Sequence, residues 1–261
     1  MIGEWGEFKD EIARSRDLGK IVEFWWRDDD ACRPEPALER LYALAARTGV
    51  PLAVAAVPDR SEVSAFASLP RNASVLQHGV DHRNRAANSE KKTEFSAEEP
   101  VRAAIERLTA GFARLQGVTG GSALPVLVPP WNRICSRLTP HLGSAGYTGL
   151  STFGVRNITN PSAGLIQVNT HIDIIDWKGG RGFCGVGRLL AQAVVHLKMQ
   201  RFAPCDSEGP IGWLTHHAVH DSAAWDFLER LFNVTCTGAQ TTWRSPSSLF
   251  RRGPDFRRNP V

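Results

Sequence analysis

The chain has only five cysteines, Cys32, Cys135, Cys184, Cys205 and Cys236, an odd number, widely spaced and without a CxxC pair. That usage argues against a disulfide framework, and reduced thiols are expected. No stretch approaches the roughly 18 apolar residues that a membrane span needs. The first twenty residues carry Glu4, Glu7, Lys9, Asp10 and Glu11, so they lack the apolar core of a secretory signal, and a cytoplasmic protein is expected. Charge of one sign is also scarce, because 31 Lys+Arg against 27 Asp+Glu leaves +4, with much of the excess at Arg251, Arg252, Arg257 and Arg258. An imbalance so small, set among Gly and Pro, reads as a solvated basic tail over 245–261 rather than a nucleic-acid surface. Repeats, low-complexity tracts and linkers are missing as well, which leaves 1–261 as one domain with a helical extension over 1–20.

What is present is an alternation of two periodicities. Ile21 to Trp26 is a β-favouring run that ends abruptly in Arg27-Asp28-Asp29-Asp30, and Ala37 to Arg47 carries Leu38, Leu41, Tyr42 and Ala45 at helical spacing before Gly49. Further strands are expected at Leu52 to Val57, Ala73 to Gln77, Leu124 to Val128, Tyr147 to Phe153, Ile166 to Asp176 (one or two) and Ile211 to Thr215. Helices are expected at Ser61 to Leu69, Ala97 to Gln116, Arg137 to Ser144, Arg188 to Arg201 and Ala223 to Phe232. Strands and helices in alternation predict an α/β fold with a mainly parallel sheet, in which ligands gather beyond the C-terminal strand ends. Five polar groups fall at such ends: Asp28 to Asp30, His78 with His82, Trp131 with Asn132, Asp173 with Asp176, and His216 with His217.

Histidines four apart can turn two imidazoles toward one metal ion, although the same spacing also occurs in plain surface residues. A carboxylate from an earlier strand completes a three-ligand site with an open position, the arrangement of catalytic zinc. A neighbouring carboxylate can then act as a general base and a more distant histidine as a general acid for amide hydrolysis. The acidic triplet by itself could equally cap the next helix or lie in solvent.

Taken in order, these residues resemble the polysaccharide deacetylase (NodB-homology) family, whose five motifs can be matched across Arg27 to Asp221. The first motif is similar to Asp29-Asp30-Ala31, with Ala in place of Gly, and implies Asp29 as base and Asp30 as metal ligand; Asp28-Asp29 fits one residue earlier. The second resembles His78 to His82, with Gly79 at a Ser/Thr position, and implies both histidines as ligands. The third looks like Val128-Pro129-Pro130-Trp131, where Val128 replaces the arginine that orients the base, a role open to Arg27 or Arg133. It also implies that a backbone N–H near Trp131 helps stabilise the oxyanion. The fourth resembles Asp173 to Trp177 and implies that Asp176 orients the acid histidine, and the fifth is Leu214-Thr215-His216, with His216 as acid and His217 as alternate.

The resemblance therefore implies a distorted (β/α) barrel of seven strands, and removal of an N-acetyl group from an amino sugar or glycoconjugate through a divalent metal, Zn2+ being the expected ion. Trp131, Pro130, Asn132, Trp177 and Leu214 are the implied substrate contacts. Two rival readings remain at this point: a metal-dependent amidase acting on a non-sugar amide, and a carbohydrate-binding relative without activity.

Overall fold

A computed structural model describes residues 3–88, 90–155, 165–202, 209–237 and 241–251. In chain order it contains α1 (Glu4–Asp17), β1 (Val22–Ala31), α2 (Pro36–Thr48), β2 (Leu52–Ala56), β3 (Ala73–His78), α3 (Val101–Val118), β4 (Val126–Val128), α4 (Thr139–Leu142), β5 (Gly149–Leu150) and β6 (Ile166–Gln167). There follow β7 (Ile172–Asp173), α5 (Val186–Phe202), β8 (Ile211–Thr215), α6 (Ser222–Cys236), β9 (Thr241–Trp243) and α7 (Pro246–Leu249). The expected helix at Ser61 to Leu69 is instead two short 3-10 turns, Pro58–Arg60 and Val63–Phe66. None of the described helices is long and apolar enough to cross a membrane.

The strands run in the order β6-β5-β4-β3-β2-β1-β8-β7, with parallel pairing throughout and β9 beside the start of β1. Eight strands on one path span about 34 Å if laid flat, at about 4.8 Å per neighbour. Its two edges, β6 and β7, are nevertheless joined by Val168 to His171 alone, a link that reaches at most about 18 Å. The sheet must therefore curl, and the result is the distorted barrel.

The count of strands is nine among the described residues rather than seven. The Ile166 to Asp176 segment divides into β6 and β7 on opposite edges, and Trp243, unassigned from sequence, lies in β9. Geometry explains β9: β2 pairs with β1 only from Trp26 onward, and β9 takes Val22 to Phe24 on the side opposite β8.

Period-two alternation along β1 divides the core. Phe24 and Trp26 face outward and pack with Trp5, Phe8, Leu38, Leu41 and Phe232 beneath the helices, whereas Trp25 faces inward with Ala53, Ala55, Leu76, Val126 and Val128. The segment read as a helical extension is α1, anchored by Trp5, Phe8 and Ile12 and by buried Glu11, which pairs with Arg201 at 2.5 Å. At the other end, Phe250 is buried against Trp25, with ring centroids 6.2 Å apart, so the solvated-tail reading fails there. Arg252, Arg257, Arg258 and Cys205 lie outside the described residues.

Candidate functional site

Strict alternation would send Asp28 outward, Asp29 inward and Asp30 outward. Instead Asp28 pairs with Val54 and Ala31 with Ala56, three steps against two, so β1 bulges at its C-terminal end and Asp30 takes φ +76°. A bulge re-aims a side chain, and this one turns Asp30 into the barrel mouth beside Asp29. There Asp30 Oδ1 lies 3.2 Å from His78 Nε2 and 3.2 Å from His82 Nε2. Tetrahedral ligands about 2.0–2.1 Å from zinc stand roughly 3.3 Å apart, which matches both Asp30–histidine separations, and all three donors lie within 4.8 Å of one another. The Nδ1 of His78 faces the Val128 carbonyl at 3.0 Å. With its proton on that nitrogen, the ring presents the Nε2 lone pair to the site. Burial works against charge on His78, but Asp29 and Asp30 outweigh it and its pKa is raised; His82, buried beside His78, has a lowered pKa. Asp30 lies well below the usual carboxylate range, because the neighbouring histidines outweigh the cost of burial.

Asp29 is held by Arg27, two residues earlier on the same inward face. The pair is bidentate, Nε to Oδ1 at 2.8 Å and Nη2 to Oδ2 at 3.0 Å, and Arg27 also donates to Asn132 Oδ1 at 2.7 Å and Ser151 Oγ at 2.6 Å. Arg133 instead donates to the Lys92 carbonyl. Of the two arginines open to this role, Arg27 is the one that meets Asp29. Asp28 points the other way, where its buried carboxylate pairs with His217 Nδ1 and accepts from Thr215 Oγ1. The three consecutive aspartates thus have three different settings, and only Asp29 and Asp30 share the barrel mouth.

A cleft of about 840 Å³ opens over these residues, lined also by Trp131, Asn132, Trp177, Asp173 and His216. Pro130 and Leu214, expected to touch substrate, are buried and do not line it. Beside His216 stands Asp173, with Oδ1 3.9 Å from Nδ1, and the Trp177 ring meets the imidazole edge-on at 4.7 Å. Trp177 Nε1 in turn donates to Asp173 Oδ2 at 2.8 Å. Burial raises the Asp173 pKa against the pull of His216. The expectation that Asp176 orients His216 is therefore corrected. Pairing of β7 with β8 sets Asp173 opposite Leu214, two residues before His216, whereas Asp176 has left the ladder and faces Arg188 at 3.2 Å.

Five non-glycine residues have positive φ among the described residues, Asp30, His82, Trp131, Asn132 and Arg181, and all five line this cleft. Such backbone costs about 1–3 kcal/mol per residue and collects at functional sites.

Solved structures of similar fold include deacetylases. A Mycobacterium smegmatis protein assigned to the polysaccharide deacetylases aligns at TM-score 0.63 and 12% identity, over 89% of this chain and 90% of its own. The T48 deacetylase with substrate aligns at 0.54 and 14%, over 88% and 91%. Peptidoglycan deacetylase PdaC from Bacillus subtilis gives 0.51 and 14%, over 88% and 90%. This chain has the polysaccharide deacetylase fold. No family model and no curated protein matches its sequence.

Within this deacetylase fold, one residue absent from the sequence expectations organises the loop that carries His82. Glu94, fully buried, accepts from the backbone N–H of Val80 at 2.9 Å, Asp81 at 3.3 Å and His82 at 3.0 Å, and Arg107 Nη1 lies 3.2 Å from the same carboxylate. Burial and Asp81 push the Glu94 pKa up, against the pull of Arg107 and these N–H groups. Glycine at position 79 follows from the same packing: φ is +58°, and a Cβ there would collide with the Glu94 carboxylate and meet Pro130 Cδ at 2.6 Å. The available signal was the pairing of that Gly with an acid at the end of a polar loop, which spacing alone does not single out.

Proposed function

We propose that the cleft hydrolyses an N-acetyl group from an amino sugar or glycoconjugate, with Asp30, His78 and His82 holding a divalent ion, Zn2+ by the donor set. The observation that carries this reading is the meeting of that ligand triad with Asp29 and His216 in one cleft. An ion so held supplies Lewis acidity for an amide carbonyl and lowers the pKa of water.

The chain's own residues do the rest. Asp29 receives the proton from the attacking water, its lone pairs aimed by the bidentate Arg27. His216 delivers a proton to the departing nitrogen, with Asp173 steadying the imidazolium across the 3.9 Å gap and the Trp177 ring packed edge-on against it. The Trp131 backbone N–H is offered to the developing oxyanion, and the faces of Trp131 and Trp177 bracket the sugar.

The test is acetate release from a panel of N-acetylated sugars by Zn2+-loaded protein. Release that disappears on chelation, returns with Zn2+, and falls by about 10²-fold or more in Asp29→Asn supports the reading. Formate or ammonia release from other amides without acetate release points instead to an amidase of different specificity. Tight metal binding with no turnover of any amide refutes the enzyme.

A further inference from the structure

The acids of the cleft are already engaged. Arg27 holds Asp29, the two imidazoles flank Asp30, Trp177 and the Ile175 N–H bind Asp173, and Arg188 faces Asp176. Four cations that line the same cleft form no ion pair with a described carboxylate: Lys92 and Arg133 on the Trp131 side, and Lys178 and Arg181 next to Trp177. The guanidinium of Arg133 donates only to the Lys92 carbonyl, at 3.0 Å, which leaves its charge uncompensated. A divalent ion bound at Asp30 adds to the positive excess.

The turn that presents Lys178 and Arg181 is built rather than loose. Asp176 Oδ1 accepts from the N–H of Lys178 at 3.3 Å and of Gly179 at 3.1 Å, and the Arg181 N–H donates to the Asp176 carbonyl at 2.9 Å. The Asp176 N–H closes the turn on the Gly182 carbonyl at 2.8 Å. A Cβ at Gly179 would press on the Asp176 carboxylate, so a larger residue there would have to displace the group that folds the turn. Arg181 itself is held at φ +61°, a conformation an arginine adopts at a cost. Asp176 thus folds a cationic turn at the cleft rather than orienting His216.

We propose that the substrate is an acetamido sugar that also carries negative charge, a phosphate ester or a carboxylate, seated between the Lys92/Arg133 and Lys178/Arg181 walls. This rests on the deacetylase reading and narrows it. Converging charge of one sign around a concave site raises the local concentration and the affinity of the opposite charge. A neutral glycan leaves all four cations unused.

The experiment separates the two claims. Binding is measured by calorimetry on Zn2+-loaded His216→Gln protein with three probes: N-acetylglucosamine 1-phosphate, N-acetylmuramic acid and the neutral methyl N-acetylglucosaminide. At least one anionic probe is expected to bind about tenfold or more tightly than the neutral one, with the advantage shrinking between about 20 and about 500 mM NaCl. The arm with the larger advantage identifies phosphate or carboxylate. The double reversals Lys178→Glu/Arg181→Glu and Lys92→Glu/Arg133→Glu should each reduce that ratio, and because these side chains are exposed the fold should tolerate them. Equal binding of charged and neutral probes at every salt concentration, no binding of either anionic probe, or an advantage that survives both reversals overturns the proposal. Acetate release by the wild-type protein is scored separately, so a protein that prefers the anionic probes yet releases no acetate refutes the hydrolase and leaves the charge preference standing.

Discussion

Glu94→Gln is isosteric and removes one charge from beneath the loop that carries His82. In the wild type, Oε1 serves the N–H groups of Val80 and Asp81 and the Arg107 guanidinium, and Oε2 serves the N–H of His82. A glutamine has one acceptor oxygen, and three donors claim the Oε1 position, so its NH2 is left facing the His82 N–H. The loss is one hydrogen bond to a charged acceptor, about 1.5–3 kcal/mol. That is comparable to the strain of holding His82 at φ +56°, about 1–3 kcal/mol, so the loop can relax and withdraw the second imidazole. Zn2+ affinity is expected to fall about 10–100-fold, and Tm by roughly 5 °C for a domain of this size. The assays are Zn2+ competition against a chromophoric chelator and a thermal melt. Glu99→Gln is the control, because Glu99 shares Arg107 at 2.8 Å but makes no bond to residues 80–82; it should lower Tm and leave the metal Kd alone. A Glu94→Gln protein with lowered Tm and a Kd within about twofold of wild type would refute the reasoning.

Arg27→Met leaves the buried Asp29 carboxylate without its counter-ion and should cost about 3–5 kcal/mol in urea unfolding; a cost below about 1 kcal/mol would show that water replaces the guanidinium. Asp173→Asn should lower kcat by roughly 10²-fold or more with little change in KM, whereas Asp176→Asn should act chiefly on KM for an anionic substrate; steady-state kinetics on both variants would expose a reversed assignment. His220 is held neutral, chiefly by burial, with its pKa depressed to about 4, and neither ring nitrogen has a hydrogen-bond partner among the described residues. The unfolded chain binds a proton there near its ordinary pKa of about 6.5 while the folded chain does not, so this residue removes stability as pH falls from 6.5 toward 4. His220→Phe, packed against Trp225, should raise Tm at pH 5 relative to wild type more than at pH 8; an equal change at both pH values excludes the titration.

Much of the fold was legible because alternation of period two and period 3.6 follows from burial on one face of a strand or helix, and β1, α2, β2, β3, α5, β8 and α6 have runs long enough to show it. The short strands β5, β6 and β7 fall within segments that were expected to be strands, whereas β9, three residues long, carries no readable period and depends on the edge that β1 offers. The expected count of seven came from the family resemblance and not from the periodicity.

The sequence by itself placed Asp29, Asp30, His78, His82, Trp131 and His216 at C-terminal strand ends, where a strand delivers whatever follows it, but Asp28 and His217 had the same placement and point away from the mouth. Only tertiary structure decided their pairing. A bulge in β1 turned Asp30 inward, the inward parity shared by Arg27 and Asp29 joined those two residues, and the register of β7 on β8 put Asp173 rather than Asp176 beside His216. Such choices depend on distances between segments far apart in the chain, and a linear order of residues carries no record of which backbone will lie alongside which.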